Sequence, residues 1–320
     1  VHAINPEIVV LLSVNTVRLD NLRHGDAPKY EDSFNNWLGG MESAATVLTD
    51  VGGGYPHIWR SSSEQDSIYN AARYLTFGAI YNRDIREDEF FRVPHELHPE
   101  YEQLFKLGNR ISPAMKDVTP YRFARVVVNG NFSIRQVPLD SQLVTSWRDL
   151  IGERIPAGYI SFKQMLESGI PDDTLVLVIP EGNGWEAPMR LQDELNPVLE
   201  KFTKDGGLVL SAEEIKEGGC LRTINKRGIP LTASNGGREL GMVVYRNEST
   251  SKYVVNLSAY KRRNVVLKLS ETHFRQPVAV SERVTGKSLK TKKTDDGWEI
   301  TVPRIDYMAQ VVINFETEES

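Results

Sequence analysis

The sequence predicts a chain of mixed class, in which an α/β part is followed by an all-β part. Up to about residue 218, short β-branched runs alternate with segments whose apolar residues recur at helical spacing. Such alternation is typical of parallel strands joined by helical crossovers. Beyond that point, short strand-like runs follow one another with turn residues between them and no helical pattern, which predicts a β-sandwich.

Four strands and two helices are predicted in the first part of the chain. The run at 8–12 is apolar and mostly β-branched, as in a strand that is buried on both faces. Serines at 61–63 provide N-cap residues for a helix that ends near Gly78, and a second helix is predicted at 99–111. The predicted strands lie at residues 8–12, 44–49, 57–60 and 79–81.

The middle of the chain predicts a doubly wound α/β unit, and the last part predicts six strands. The middle strands are expected at residues 123–128, 174–179 and 208–210, with helices at 155–168 and 191–204. Asp295-Asp296-Gly297 is typical of a hairpin turn between two of the last strands. These last strands are predicted at residues 241–245, 253–257, 264–269, 278–283, 298–302 and 310–315.

Composition excludes several classes of protein. The 43 acidic and 38 basic residues leave a formal charge of −5, which argues against a nucleic-acid partner because such a partner requires a basic surface. No apolar run approaches the roughly 18 residues of a membrane helix, so no membrane partner is expected. The single cysteine, Cys220, excludes a disulfide framework and a zinc site built from several cysteines. No cofactor and no metal are expected.

The middle and last parts of the chain carry a resemblance to glycoside hydrolases. The segments "AGYISFKQMLESGIPDDTLVLVIPEG" and "LNPVLEKFTKDGGLVLSAEE" resemble the glutamine-amidotransferase-like domain that follows the catalytic barrel in many of these enzymes. The barrel β-galactosidases, which use that domain for trimerisation, are an example. The final segment "DGWEITVPRIDYMAQVVINF" is similar to the small β-sandwich at the end of the same enzymes.

This resemblance implies three domains. Residues 1–112 then resemble the back half of a (β/α)₈ barrel, residues 113–218 the amidotransferase-like α/β domain, and residues 219–320 the β-sandwich. A half barrel leaves two sheet edges open, so we expect either a homo-oligomer or an N-terminal half-barrel segment that this chain lacks. The start at Val1, without a leader pattern, agrees with a processed or partial chain.

Two carboxylates are predicted to be catalytic. Glycoside hydrolysis needs a pair of them, and in a barrel they lie at the carboxyl ends of strands. Asp50 directly follows the predicted strand 44–49, and Glu64 follows the predicted strand 57–60. The alternatives are that Asp50 caps a turn beside Gly52 and that Glu64 marks a helix N-terminus.

Four further residues are predicted to bind the substrate. His57, Trp59 and Arg60 form the densest polar and aromatic cluster of the sequence, and Asp84 follows the last barrel strand. An aromatic ring can stack on a sugar, and a guanidinium can hydrogen-bond hydroxyl groups or a carboxylate.

The leading hypothesis is a glycoside hydrolase, or the C-terminal portion of one, that acts on an oligo- or polysaccharide. The alternative is a non-catalytic carbohydrate-binding or oligomerisation scaffold. An amidase that uses Cys220 is disfavoured, because the thiol lacks the strand-to-helix elbow that such a nucleophile needs. His95 and His98 are interpreted as loop residues rather than metal ligands, and the basic runs at 261–263 and 287–293 as solvated faces.

Overall fold

The structure is a computed structural model that describes most of the middle and last parts of the chain and the regular elements of the first part. The residues described are 11–13, 27–31, 40–51, 57–60, 67–78, 80–83, 106–128, 142–180, 189–216, 219–224, 228–235 and 240–316.

The first part contains a four-stranded parallel sheet. Its strands are β1 (Leu11–Ser13), β2 (Ala27–Glu31), β3 (His57–Arg60) and β4 (Ile80–Arg83), and they lie side by side in that order. Helix α1 (Gly40–Asp50) connects β2 with β3, and helix α2 (Ser67–Thr76) connects β3 with β4. Neighbouring parallel strands that are joined by helices form successive β/α units.

One of the four predicted strands is wrong, although the described residues of the first part also contain four strands. Residues 44–49 belong to helix α1 rather than to a strand. Ser43, Thr46, Val47 and Asp50 are all buried there, and their spacing of three and four residues is that of one helix face. The second strand is instead β2, for which the sequence predicts no strand. Of the helix predicted at 99–111, residues 106–111 are helical and the rest lie outside the described residues.

The middle part is a doubly wound parallel sheet. It is preceded by β5 (Thr119–Tyr121), which pairs elsewhere, and it contains β6 (Ala124–Val128), β7 (Ala157–Ser161), β8 (Val176–Ile179) and β9 (Leu208–Ser211). The spatial order β7-β6-β8-β9 places the first strand inside the sheet, so the chain winds first one way and then the other. The helices are α3 (Gln142–Gly152), α4 (Phe162–Ser168), α5 (Met189–Lys204) and α6 (Ala212–Ile215), and α7 (Gly219–Ile224) follows them.

The helix predicted at 155–168 is only half right. Its first part is strand β7, all five residues of which are buried, as expected for a strand that is covered on both faces of a parallel sheet. The helix begins after Ser161, where Ser161 and Gln164 form a capping box. The strands predicted at 123–128, 174–179 and 208–210 and the helix predicted at 191–204 are confirmed, with ends that differ by one or two residues.

The last part is a β-sandwich, as predicted. One sheet has the order β10-β13-β17-β16, and the other has the order β15-β14-β18-β12-β11-β5. All six strands that the sequence predicts are present, and β10, β15 and β16 are additional to them. The strand bounds are Leu231–Ser234 for β10, Gly241–Asn247 for β11, Lys252–Ser258 for β12, Arg262–Ser270 for β13, Pro277–Glu282 for β14, Lys287–Ser288 for β15, Thr291–Thr294 for β16, Gly297–Ile305 for β17 and Met308–Phe315 for β18.

The predicted turn at Asp295-Asp296 joins β16 and β17 as a two-residue hairpin, since Thr294 pairs with Gly297. Gly297 has a φ of 148°, and a Cβ atom there would lie 1.9 Å from the carbonyl oxygen of Leu269. A glycine is therefore required at the start of β17.

The three parts share one hydrophobic core. Val47 of α1, Trp147 and Tyr159 of the α/β unit and Val243 and Val312 of the sandwich belong to a single buried cluster. The short strand β5 adds a second connection, because it extends the six-stranded sandwich sheet beside β11. The α/β unit is thus held against both of its neighbours, whereas the exact limits of the three domains stay a prediction.

Candidate functional site

The carboxyl ends of β1–β4 form one edge of the parallel sheet, which we call the carboxyl edge. The strand register places Glu31 of β2 beside Trp59 of β3, and Trp59 beside Asn82 of β4. One position further along, Arg60 pairs with Arg83. Ligands and catalytic groups of parallel α/β sheets are found at this edge, so it is the candidate site of the first part of the chain.

The predicted substrate-binding residues fall into two groups. His57, Trp59 and Arg60 lie on β3, with Trp59 and Arg60 at its carboxyl end. Asp84 and the predicted catalytic residue Glu64 lie outside the described residues. In the sequence, Asp84 directly follows β4, and Glu64 comes four residues after the end of β3.

Sequence reasoning missed Glu31, the carboxylate that closes β2. The five residues APKYE predict no strand, because they show no apolar alternation and contain a proline. Parallel pairing with β1 on one side and β3 on the other makes this segment a strand all the same. Once β2 is identified, Glu31 is an acidic residue at the carboxyl end of a strand, in register with Trp59 of β3.

The predicted position of Asp50 is wrong, because Asp50 ends helix α1 and does not follow a strand. Only residues 51–56 separate it from the start of β3, so it lies toward the amino ends of the strands, opposite the carboxyl edge. Its carboxylate is fully buried, with 0% of the side chain exposed.

The Asp50 carboxylate is held by a guanidinium and a backbone amide. Arg122 Nε donates to Oδ2 at 3.0 Å, and Arg122 Nη2 donates to Oδ1 at 3.0 Å. The backbone N–H of Tyr159 donates to Oδ2, also at 3.0 Å. Gln164 Nε2 donates to the backbone carbonyl of Asp50 at 2.8 Å. A bidentate, charge-assisted pair with an additional amide donor satisfies both carboxylate oxygens.

The Asp50–Arg122 pair connects all three parts of the molecule. Asp50 belongs to α1, and Arg122 stands between β5 and β6 and also donates through Nη1 to the carbonyl of Val244 in the sandwich, at 3.5 Å. Burial by itself would lower the pKa of Arg122, but the Asp50 carboxylate, with smaller contributions from Tyr245 and Asp173, outweighs burial and the pKa is raised. The guanidinium is therefore charged, and the pair is a buried ion pair.

A glycine is required where strand β7 of the α/β unit packs against the Asp50–Arg122 pair. A Cβ atom on Gly158 of β7 would lie 2.0 Å from Asp50 Oδ2 and 2.6 Å from Arg122 Cδ. The absence of a side chain thus lets β7 approach α1 closely enough for the Tyr159 amide to reach Asp50.

A second buried ion pair stabilises the same end of the α/β unit. Arg125 Nη2 lies 3.2 Å from Asp173 Oδ1, and the backbone N–H of Arg122 donates to Asp173 Oδ2 at 3.0 Å. Arg125 Nε donates to Thr174 Oγ1 at 2.8 Å. Both buried ion pairs thus connect segments that are far apart in the sequence.

Cys220 has the surroundings of a structural thiol. The side chain is fully buried in the core that the three parts share. Burial, with a smaller contribution from the Glu153 carboxylate, raises the pKa of Cys220 and so disfavours the nucleophilic thiolate. Glu153 itself accepts the backbone N–H groups of Cys220 and Leu221 at 3.3 and 2.5 Å. This geometry agrees with the interpretation that Cys220 is not a nucleophile.

Within the described ranges, no group of three or more His, Cys, Asp and Glu side chains is arranged to hold a metal ion. His95 and His98 lie outside those ranges. Among the helices of the described residues, none has the length and apolar character needed to cross a membrane.

Comparison with solved structures identifies the fold. The chain is similar to alpha-L-fucosidase isoenzyme 2 from Paenibacillus thiaminolyticus, with a TM-score of 0.70 and 11% identity, over 99% of this chain and 69% of that one. It is also similar to a rhamnosidase from Novosphingobium sp. PP1Y, with a TM-score of 0.59 and 11% identity, over 94% of this chain and 36% of the rhamnosidase.

The sequence itself matches no protein-family model and no curated protein. At 11% identity, the two structural matches concern the fold alone. The chain therefore has a glycoside hydrolase-like fold that combines α/β and β-sandwich parts, and it spans about a third of the length of the rhamnosidase.

Proposed function

We propose that this chain is a glycoside hydrolase, or the C-terminal portion of one, and that its chemistry takes place at the carboxyl edge of β1–β4. The observation that carries the proposal is the register of Glu31, Trp59 and Asn82 across three neighbouring strands. A carboxylate, an aromatic residue and an amide in one row supply groups that a sugar-processing site needs. The fold shared with a fucosidase and a rhamnosidase supports the same assignment.

The proposed roles follow from chemistry and from position along the strands. Glu31 and Glu64 are the proposed carboxylate pair, one as general acid and the other as nucleophile or general base. Trp59 provides a surface for stacking on a sugar ring, and Arg60 and Asp84 provide hydrogen bonds to hydroxyl groups. His57 lies at the start of β3, three residues before its carboxyl end, so we place it behind the site.

We assign Asp50 a different role from the catalytic one that its sequence position suggested. Its buried carboxylate has Arg122 and the Tyr159 amide as partners, which leaves neither oxygen for a substrate. Asp50 is proposed as a positioning residue that fixes α1, and with it the amino end of β3, against the α/β unit.

The proposed domain arrangement keeps the resemblance described above. Residues 1–112 act as the back half of a (β/α)₈ barrel, residues 113–218 as an amidotransferase-like unit and residues 219–320 as the sandwich. In the described part of the chain, β1 and β4 are the outer strands of their sheet, so each offers an unpaired strand edge. We propose that further barrel strands, from an additional segment or from a second copy of the chain, cover these edges.

Single amide substitutions test the proposed carboxylate pair. The substrates are 4-nitrophenyl α-L-fucoside and α-L-rhamnoside, chosen because of the two structural neighbours. Glu31→Gln and Glu64→Gln are each expected to lower kcat by roughly 10²–10⁴-fold, as is usual when a general acid or base is removed. Glu167→Gln, at an exposed residue of helix α4, is the matched control and is expected to keep full activity.

Two outcomes would overturn parts of the proposal. Equal activity of the parent chain and both variants would exclude this carboxylate pair. An inactive parent chain that still binds sugars would favour the carbohydrate-binding scaffold, the second hypothesis for this sequence.

A further inference from the structure

Charge is distributed very unevenly along the chain. Residues 252–315 contain 12 Lys and Arg against six Asp and Glu, whereas the rest of the chain contains 26 against 37. The sandwich segment thus has a net charge of +6 in a protein whose total is −5. Such local asymmetry points to a surface that meets an anionic partner.

Burial increases this asymmetry at the surface. Ten of the 12 basic side chains in this segment are exposed, compared with four of the six acidic ones. Glu282 is buried and accepts the backbone N–H groups of Val284, Thr285 and Gln310 at 2.8, 2.7 and 3.2 Å. Its charge is therefore used inside the fold and does not neutralise the basic surface.

Five of the exposed basic residues lie on three neighbouring strands of one sheet, and one of them, Lys293, is paired with Glu271. Strands β13, β17 and β16 align Lys268, Glu299 and Lys292 in one row, so a single half-buried acid stands between two exposed lysines. Lys268 Nζ lies 3.8 Å from Glu299. At the other end of the same strands, Arg263 is directly paired with Arg304.

The Arg263–Arg304 pair is unfavourable by itself, because like charges opposite each other on adjacent strands repel. Asp306 contacts Arg304, with 2.8 Å between Asp306 Oδ1 and the guanidinium, and it offsets one of the two charges. Arg263 and Lys268 are five positions apart on β13, which corresponds to about 16 Å of strand. In a regular strand this odd spacing would place the two side chains on opposite faces. The alternation shifts between them, since Asn264 has a φ of 54° and the buried residues of β17 change from Ile300 and Val302 to Ile305, which leaves Arg304 and its partner Arg263 on the outer face. Arg263, Lys268, Lys292 and Arg304 thus form a basic stripe along the outer face of the four-stranded sheet.

We propose that this basic stripe binds a polysaccharide that carries anionic groups. The stripe is extended and exposed rather than concave, so it suits repeated charges along a polymer better than a single small anion. The choice of a glycan as the polymer rests on the proposed function, and nucleic acid is the competing class. Binding here holds an acidic chain on the sandwich while hydrolysis takes place at the carboxyl edge.

Binding to polymers of different charge tests the stripe independently of turnover. The full chain is titrated with polygalacturonate, dextran sulfate, neutral dextran and single-stranded DNA at several salt concentrations. We expect binding to one or both acidic polysaccharides, none to dextran, and an affinity that falls steeply with salt because the contacts are exposed. The two acidic polymers distinguish carboxylate from sulfate recognition.

A triple variant locates the binding surface. The variant combines Arg263→Gln, Lys268→Gln and Lys292→Gln. We expect it to bind about tenfold more weakly or worse, because each substitution removes one exposed charge pair of the usual strength. The matched control removes three exposed lysines of the α/β unit, Lys163, Lys201 and Lys204, and changes the net charge by the same amount. Equal thermal midpoints of the two variants would show that both are folded.

Three results would overturn the proposal: no binding to either acidic polysaccharide, equal weakening in both triple variants, or tighter binding to DNA than to the glycans. These results do not depend on aryl glycoside hydrolysis. A chain that binds polygalacturonate through the stripe but cleaves no glycoside would contradict the proposed function and leave the stripe intact.

Discussion

The two edges of the β1–β4 sheet differ in what their charged residues do. Toward the amino edge, the Asp50 carboxylate is buried, paired with Arg122 and in contact with the α/β unit. At the carboxyl edge, Glu31, Trp59 and Asn82 lie in one row at the ends of their strands. The first arrangement joins elements, and the second brings together the residues that we propose as the sugar site.

This difference follows from how β/α units are connected. Each helix returns the chain to the amino end of the next strand, so its last residues face whatever packs beneath the sheet. In this molecule that neighbour is the α/β unit, which contributes Arg122 and the Tyr159 amide. Substitutions at the amino edge are therefore expected to change stability, and substitutions at the carboxyl edge to change activity.

The largest expected effect on stability comes from Asp50→Ala. The substitution leaves the Arg122 guanidinium buried without its anion, and we expect the free energy of unfolding to fall by about 3–5 kcal/mol. Urea denaturation measures the change, with Asp172→Asn, an exposed acid of the α/β unit, as the control. A loss below about 1 kcal/mol would contradict the view that this pair holds the three parts together.

Gly158→Ala tests the close approach of β7 to the same pair. The added methyl group would overlap Asp50 Oδ2, so the ion pair or the strand must move, and overpacking of this kind costs about 1–3 kcal/mol. Gly152→Ala is a matched control, since no atom lies within 4 Å of a Cβ placed there. If the two alanine variants are equally stable in thermal unfolding, β7 does not need its glycine.

A smaller, pH-dependent effect is expected at Glu153, a buried acid whose carboxylate accepts two backbone N–H groups. Burial raises its pKa above the usual value of 4.5. The unfolded chain therefore loses this proton at a lower pH than the folded chain, and stability falls as the pH rises above about 4.5. Glu153→Gln should remove this contribution, so the stability advantage of the parent chain over the variant should shrink between pH 4 and pH 7.

Urea denaturation of the parent chain and of Glu153→Gln at each pH gives the difference between their free energies of unfolding. Other titrating groups contribute equally to the two chains and cancel in this difference. A difference that grows with pH would mean that the N–H groups of Cys220 and Leu221 outweigh burial.

The sequence predicted the sandwich better than the first sheet for a physical reason. Antiparallel strands such as β16 and β17 are joined by a local hairpin, and the turn residues Asp295 and Asp296 predict this hairpin from the sequence. β2 has no such signal, since its residues contain a proline and form a strand only through pairing with both neighbours. The β-branched residues of α1 suggested a strand, but burial along one helix face decided its structure.

The candidate site was predictable in part for the same reason. The sequence predicts the strand that carries Trp59 and Arg60 and so their position at its carboxyl end, whereas it predicts neither β2 nor the position of Glu31. The role of Asp50 could not be predicted, because Arg122 and Tyr159 are 72 and 109 residues away in the sequence. Nothing in the local sequence indicates contacts of that length.

The smallest expected effect on stability belongs to the carboxyl edge. Glu31→Gln should change the free energy of unfolding by less than about 0.5 kcal/mol, since this edge of a parallel sheet is used for function rather than for holding the fold. The same variant should lose glycosidase activity, so stability and turnover measured on one preparation separate the two edges. A Glu31→Gln chain that unfolds as easily as Asp50→Ala would instead place Glu31 in a structural network. The catalytic pair would then have to be sought between Glu64 and Asp84.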